Sequence, residues 1–265
     1  MLRFSANLGF LWPELPLIER VEAAARAGFK GVEFHWPYET PAGVLKAVCE
    51  ACSLQLLAIN TPPGKPASGD FGLAAVPGRE REFAESLALA IAYARDCRAR
   101  MVHLMAGVVD RHDRRAAHET FVGNIRLAAA SAPELTFLLE PINRIDKPGY
   151  FYSRLEDAEA VMDEVGCANV RLMFDAYHVG MTEGDVLGNM ERLLPRIGHI
   201  QVASVPDRAE PDHGSVDFER FFDRLQESGY TGWIGCEYRP RASTSEGLSW
   251  MGRTSQRGSR AGGQV

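Results

Sequence analysis

Short apolar runs alternate with longer segments of helical period along almost the whole chain. The runs Arg3–Leu8, Gly31–Trp36, Leu54–Asn60, Arg100–Gly107, Thr136–Asn143, Val170–His178, Ile197–Ser204 and Gly232–Tyr238 have the length and composition of buried strands. Between them, apolar residues recur at three- and four-residue steps, as Phe83, Leu87, Ile91 and Ala94 do within residues 78–97. The same period predicts helices over Leu17–Ala27, Pro41–Ala51, Ala116–Ala130, Leu155–Val165, Val186–Leu194 and Asp217–Glu227. Gly28, Gly166 and Gly229 stand where such helices stop. Eight strands, each followed by a helix, predict one α/β domain, a closed (β/α)8 TIM barrel over residues 1–251. A doubly wound sheet would call for a glycine-rich phosphate turn after an early strand, and the first turn, NLGFLWPEL, has a single glycine. The segment STSEGLSWM predicts a short or irregular final helix. The stretch GRTSQRGSRAGGQV, residues 252–265, lacks apolar period and reads as a disordered tail.

Composition narrows the function. With 46% hydrophobic and 24% charged residues the 265-residue chain suits a globule with a sizeable core. A net charge of −6 gives no field favouring nucleic acid or an anionic membrane surface. No apolar run approaches the ~18 residues of a membrane span, and the N-terminus shows no export cleavage pattern, so a cytoplasmic protein is expected. The five scattered cysteines read as reduced thiols. Cys49 and Cys52 form a C-x-x-C inside a helical stretch, where packing is the ordinary explanation.

Four consecutive strands carry an oxygen-bearing side chain near their C-terminal ends: Glu140 in TFLLEPIN, Asp175 in VRLMFDAYH, Gln201 in IGHIQVAS and Glu237 in GWIGCEY. The active site of such a barrel forms at those ends. Any one strand-end acid is ordinarily a solvent contact or a helix cap. Four on successive strands, about 4.8 Å apart, can converge on one ion. An all-oxygen set suits Mg2+ or Mn2+ over zinc, and a cation also explains why carboxylates would end apolar strands. Further polar candidates are His178, three residues after Asp175, His103 and Glu33 on the fourth and second strands, and Asn60 at the end of the third. Arg208, after the seventh strand, could grip a substrate carboxylate by a forked contact or be a surface residue. Trp12 and Trp36 would cover a small substrate or pack between helices.

The segments RFSANL, GVEFHWPY, AINTPPG, LLEPIN, FDAYH, GHIQVA, RAEP, YTGWIGCEYRP and TSEGLSW together resemble the hydroxypyruvate isomerase family of xylose-isomerase-like barrels, from residue 2 to about 251. The resemblance implies a divalent-metal-dependent isomerase acting on a small hydroxy-oxo acid, interconverting hydroxypyruvate and tartronate semialdehyde through an enediolate. It implies that Glu140 and Glu237 are the catalytic pair and that Asp175 and Gln201 complete the metal set. His178 and Arg208 would face substrate, with Asn60 and His103 nearby. Related sugar epimerases commonly have histidine at the Gln201 position, so the amide favours the hydroxypyruvate group. A 2-oxo-tetronate isomerase or a ketose 3-epimerase would share the chemistry. A non-catalytic barrel and an abasic-site endonuclease are the remoter alternatives. Self-association is common for such barrels.

Overall fold

The computed structural model describes residues 1–252. Strands β1 (Arg3–Asn7), β2 (Gly31–Glu33), β3 (Gln55–Leu56), β4 (Ala58–Asn60), β5 (Met101–His103), β6 (Thr136–Leu139), β7 (Val170–Asp175), β8 (Ile197–Val202) and β9 (Trp233–Cys236) form one parallel sheet, in the order β3-β2-β1-β9-β8-β7-β6-β5-β4. The expected third strand is thus broken at Leu57. Its first half pairs with β2 and its second with β5. Leu57 closes the ring, donating its N–H to Val32 O and accepting at its carbonyl from the N–H groups of Arg100 and Met101. The barrel is the expected one, with nine strands because one is bent. An unbroken apolar run gave no sign of the bend.

Helices α1 (Leu17–Arg26), α2 (Ala42–Ala51), α3 (Glu80–Cys97), α4 (Arg114–Ser131), α5 (Leu155–Val165), α6 (Ala176–Thr182), α7 (Val186–Leu193), α8 (Phe218–Glu227) and α9 (Thr244–Gly247) form the outer layer. In α8 the buried residues Phe218, Phe221, Phe222 and Leu225 follow the i, i+3, i+4, i+7 pattern, so one stripe faces the sheet. The expected stripe of α3, Phe83, Leu87, Ile91 and Ala94, is likewise buried. Gly28, Gly166 and Gly229 all have left-handed φ at helix ends, a conformation L-residues with a Cβ enter at a cost. α9 is a single turn, and helical residues resume at Ser249 and run to Gly252, the last described residue. Trp250 packs on Phe4 of β1, on Phe222 of α8 and on Tyr238, and so covers the seam where the barrel begins and ends. The tail expected to be disordered lies, from residue 253 onward, outside the described residues.

One expected strand is corrected. The run Val170–His178 is strand only to Asp175, whose carboxylate accepts from Tyr177 N–H and caps α6. His178 stands in the first turn of that helix, not on the strand end. Cys49 is buried in α2 and Cys52 lies at its C-cap, and all five cysteines are free. Burial pushes the Cys49 thiol up to about 12, so Cys49 packs and is not poised as a thiolate.

The barrel interior changes character over one period of the strand. Leu57, Ala58, Met101, Leu138 and Met173 form a small apolar cluster with Trp233. Two residues further along the strands of Ala58, Met101, Leu138 and Met173 stand Asn60, His103, Glu140 and Asp175. Side chains two apart share a face, so the apolar floor and the polar residues above it point into the same lumen.

Candidate active site

The polar level opens into a cavity of about 450 Å³, at the small end of the ~300–1,000 Å³ usual for ligand pockets. Glu140, Glu237, His178, Arg208, Asn60 and His103 line it, so every catalytic and substrate-facing residue expected from the sequence reaches one space. A second hollow of about 270 Å³, between the 211–218 loop, α8 and Trp250, contains none of them. Trp36 lines the first cavity, with its indole N–H on Thr61 O. Trp12 does not line it: it is buried, packing edge-on against Phe29, with its backbone N–H on the Thr244 hydroxyl.

Register explains how the side chains meet. Asp175 and Gln201 are directly paired across β7 and β8, and Gln201 pairs with Gly235 on β9. Glu140 and Glu237 each stand one residue beyond their strands. All four are buried. Donor atoms of Glu140, Asp175 and His178 lie within 4.8 Å of one another, a group that can hold a metal ion.

Hydrogen bonding separates these residues into two kinds. Glu140 Oε1, Asp175 Oδ2 and Gln201 Oε1 are buried with no hydrogen-bond partner among the described residues. A buried oxygen without a donor costs about 1–3 kcal/mol, and more when charged. Three such atoms at the ends of neighbouring strands have the chemistry of an oxygen cation site. Glu237 is different. Its Oε2 accepts from Asn7 Nδ2 at 2.7 Å and Gln201 Nε2 at 2.5 Å, and its Oε1 accepts from Arg208 Nη2 at 2.7 Å, with His35 Nε2 at 3.7 Å.

The electrostatics follow. Burial, then the charges of Glu237 and Asp175, push the Glu140 carboxyl well above the usual range. Burial raises Asp175 to about 7 against the pull of Arg208. Burial also acts to raise Glu237, but His35 and Arg208 outweigh it and hold this carboxyl low. His103 is driven down to about 3 by burial. His178 is driven well below the usual imidazole value, first by burial and then by Arg208. Both rings are neutral near pH 7.

The tautomer of His178 can be traced through Asn143. The Asn143 side-chain oxygen Oδ1 accepts from the backbone N–H groups of Ile145 and Asp146, so its NH2 faces His178 Nδ1 at 2.6 Å. Nδ1 is therefore the acceptor and the proton sits on Nε2. Nε2 lies 3.5 Å from Asp175 Oδ2, 3.8 Å from Glu140 Oε1 and 3.5 Å from Arg208 Nη2. In this tautomer His178 brings a donor to the site.

Arg208 is held by its loop. It adopts a left-handed φ of 55°, a conformation costing about 1–2 kcal/mol for an L-residue. The Ser204 hydroxyl donates to Asp207 and accepts from Ala209 N–H, and Ser204 O accepts from Arg208 N–H. Buried Glu210, in the same segment, accepts from Arg241 Nε at 2.8 Å and ties this loop to the one after β9.

Several residues of the site were not among the expected ones. Asn7, His35, Asn143, Asp146, Lys147 and Arg239 were not singled out. Period-two alternation in Ser5-Ala6-Asn7 is a signal for Asn7, since Ser5 is also buried in the lumen. The others lie on loops, where spacing gives no guide.

The family model described as "Xylose isomerase-like TIM barrel" matches residues 21–254. A protein of Cupriavidus necator named 2-oxo-tetronate isomerase is 44% identical over 95% of this chain and 98% of its own length. The hydroxypyruvate isomerase of Escherichia coli is 39% identical over 95% of this chain and 98% of its own. A crystal structure from Brucella melitensis described as AP endonuclease, family 2, superposes with a TM-score of 0.93 at 41% identity, over 96% of this chain and 99% of that one.

Proposed function

We propose that this chain, which belongs to the xylose isomerase-like TIM barrel family, is an isomerase of small hydroxy-oxo acids that interconverts hydroxypyruvate and tartronate semialdehyde. The observation that carries the reading is the set of stranded oxygens on Glu140, Asp175 and Gln201, on three neighbouring strands, with Glu140 and Glu237 lining one cavity. Relatives named for hydroxypyruvate and for 2-oxo-tetronate support the substrate class. The four-carbon acid is the second candidate, since it differs by one hydroxymethyl group.

Glu140, Asp175, Gln201 and Glu237 are the proposed ligands of one divalent cation, Mg2+ or Mn2+. Glu237 would join through Oε1, now shared with Arg208. The ion would supply Lewis-acid polarisation of the ketone oxygen. The chain's own groups move the protons. One of Glu140 and Glu237 removes a proton from the hydroxymethyl carbon, giving an enediolate. The other delivers a proton to the former ketone carbon, while the hydroxyl proton passes from the terminal oxygen to its neighbour. His178 Nε2–H donates to the developing negative charge, and Arg208 balances the carboxylates. Asn60 and His103 line the wall beside it. The abasic-site endonuclease reading has less support, because a net charge of −6 opposes binding to a phosphate backbone.

Proton NMR of hydroxypyruvate in D2O, with metal-stripped protein and added Mg2+ or Mn2+, tests the reading. Metal-dependent conversion to tartronate semialdehyde with deuterium entering at carbon is the expected result. Conversion of 2-oxo-tetronate alone would move the substrate to four carbons. No conversion of either acid with either metal would overturn the reading.

A further inference from the structure

Below the carboxylates lies a buried acid for which the chemistry above has no use. Glu33, at the end of β2, reaches across the lumen to β8. Its Oε1 accepts from the Ser5 hydroxyl at 2.9 Å. Its Oε2 accepts from Gln201 Nε2 at 2.9 Å and stands 3.0 Å from His199 Nε2. His199 Nδ1 has no partner among the described residues, so its proton belongs on Nε2, facing Glu33.

Room for this meeting is made by Gly235. A Cβ there would collide with Glu33 Oε1 and lie 2.9 Å from Gln201 Cγ. Gly235 is in register with both Ser5 on β1 and Gln201 on β8, so it sits between the two strands that feed Glu33.

The consequence falls on Gln201. A glutamine side chain can present either its oxygen or its NH2, and in isolation the two orientations differ little in shape. Here the NH2 lies between two carboxylates, Glu33 Oε2 at 2.9 Å and Glu237 Oε2 at 2.5 Å. Turning the amide over would set its carbonyl oxygen against both. The carbonyl is left buried with no donor.

We propose that Glu33 is a positioning residue: it locks the Gln201 amide so that the carbonyl oxygen, not the NH2, is offered to the cation. This rests on the reading of the barrel mouth as a metal site. It assigns a role to a carboxylate that neither binds the ion nor touches the substrate, and it makes Ser5, His199 and Gly235 parts of the same support. An amide ligand needs such a lock. A carboxylate in its place would offer an oxygen in either orientation.

The test is metal affinity, which does not depend on turnover. Glu33→Gln cannot accept from all three donors, and its own NH2 invites the Gln201 carbonyl to turn away from the site. Calorimetry with Mn2+ should show binding about 10–100-fold weaker than wild type, the usual scale for losing a group that orients a ligand, while metal-free E33Q still melts cooperatively. A folded E33Q that binds Mn2+ as tightly as wild type overturns the inference and leaves the isomerase reading intact. A wild-type protein that binds no Mn2+ overturns both. If E33Q does not fold, the wild-type protein decides by NMR. The Gln201 NH2 protons should be protected from exchange with and without Mg2+, and its carbonyl carbon should shift when Mg2+ is added. Freely exchanging NH2 protons, or an unmoved carbonyl carbon in a protein that binds Mg2+, would overturn the assignment.

Discussion

Arg208 Nη2 lies 2.7 Å from Glu237 Oε1, and its Cζ stands over the rings of Phe10 and Tyr177, 4.8 Å from each centroid. Two aromatic faces and Glu237 thus hold the cation, with Asp146 Oδ2 at 3.3 Å from Nη1. Removing it would take the guanidinium charge away from Glu237, which is buried beside Glu140 and Asp175. Arg208→Met should therefore destabilise the metal-free protein by roughly 3–5 kcal/mol, the scale for breaking a buried pair from one side. Added Mn2+ should recover much of the loss. Urea unfolding of both proteins with and without Mn2+ measures the difference; equal losses in the two conditions would show that Arg208 does not compensate the site acids.

The two glutamates should separate activity from stability. Glu140→Gln and Glu237→Gln should each lower kcat by about 10²–10⁴-fold, the usual worth of a general acid or base, with native circular dichroism. Their metal-free stabilities should move in opposite directions. Glu140 is a buried carboxyl held above its ordinary range, so neutralising it relieves the fold at pH 7. Glu237 is held as a carboxylate by its neighbours, and the amide cannot replace that pairing with Arg208. Near-normal turnover in either variant would remove that residue from the proton transfer.

The barrel and the four strand-end oxygens were legible because both rest on local repetition. Apolar runs mark strands, and the site lies two residues beyond the apolar floor residues Leu138 and Met173. What was not legible depends on contacts between distant strands. Glu33 was visible as a polar residue in an apolar run, but its partner Gln201 is 168 residues away. His178 was placed on a strand because Ala176 and Tyr177 continue the apolar run, although Asp175 has the chemistry of a helix cap. A forked grip of Arg208 on a substrate acid was one of two readings of its loop, the other being a surface residue. That guanidinium is already engaged by Glu237 and Asp146 and lies 3.5 Å from Asp175, an arrangement sequence spacing cannot convey.

The loop that carries Arg208 should have its own pH dependence. His213 Nε2 lies 2.7 Å from Asp207 Oδ2, and Nδ1 lies 3.0 Å from Asp212 Oδ1. Hydrogen bonds to these two acids raise the His213 pKa, so its contribution is full below about 6.5, the unfolded value, and is lost as pH rises through the folded value. Asp207 is held low by Ser204 and His213 against its burial, so its share is present above about 3.9, its unfolded value, and is lost in more acid solution. His213→Ala should thus cost most between about pH 4 and 6.5 and little at pH 9, and under about 1 kcal/mol throughout, because the pair is partly exposed. Melting curves of both proteins across that range give the comparison. A penalty that is the same at pH 5 and pH 9 would show that charge on His213 contributes nothing.

Lys147 should set the preference for acids. It lines the same cavity as Glu140 and Glu237, on the loop after β6, and its Nζ lies 4.2 Å from the Phe71 ring centroid. Among the described residues it enters no ion pair, whereas Arg208 pairs with three acids. An incoming carboxylate would therefore meet an uncommitted cation at Lys147 and a committed one at Arg208. Losing a hydrogen bond to a charged group is worth roughly 1.5–3 kcal/mol, which is about 10–100-fold in kcat/KM. Dihydroxyacetone is the natural comparison, since it replaces the carboxylate of hydroxypyruvate by a hydroxymethyl group and keeps the reacting atoms. Lys147→Met should lower the ratio of kcat/KM for hydroxypyruvate to that for dihydroxyacetone by that factor, and Lys147→Arg should restore part of it. Arg239→Met, removing a more exposed cation at the same rim, should lower the ratio less. A ratio unchanged in K147M would return carboxylate recognition to Arg208 and require that its pairing with Glu237 open when substrate binds.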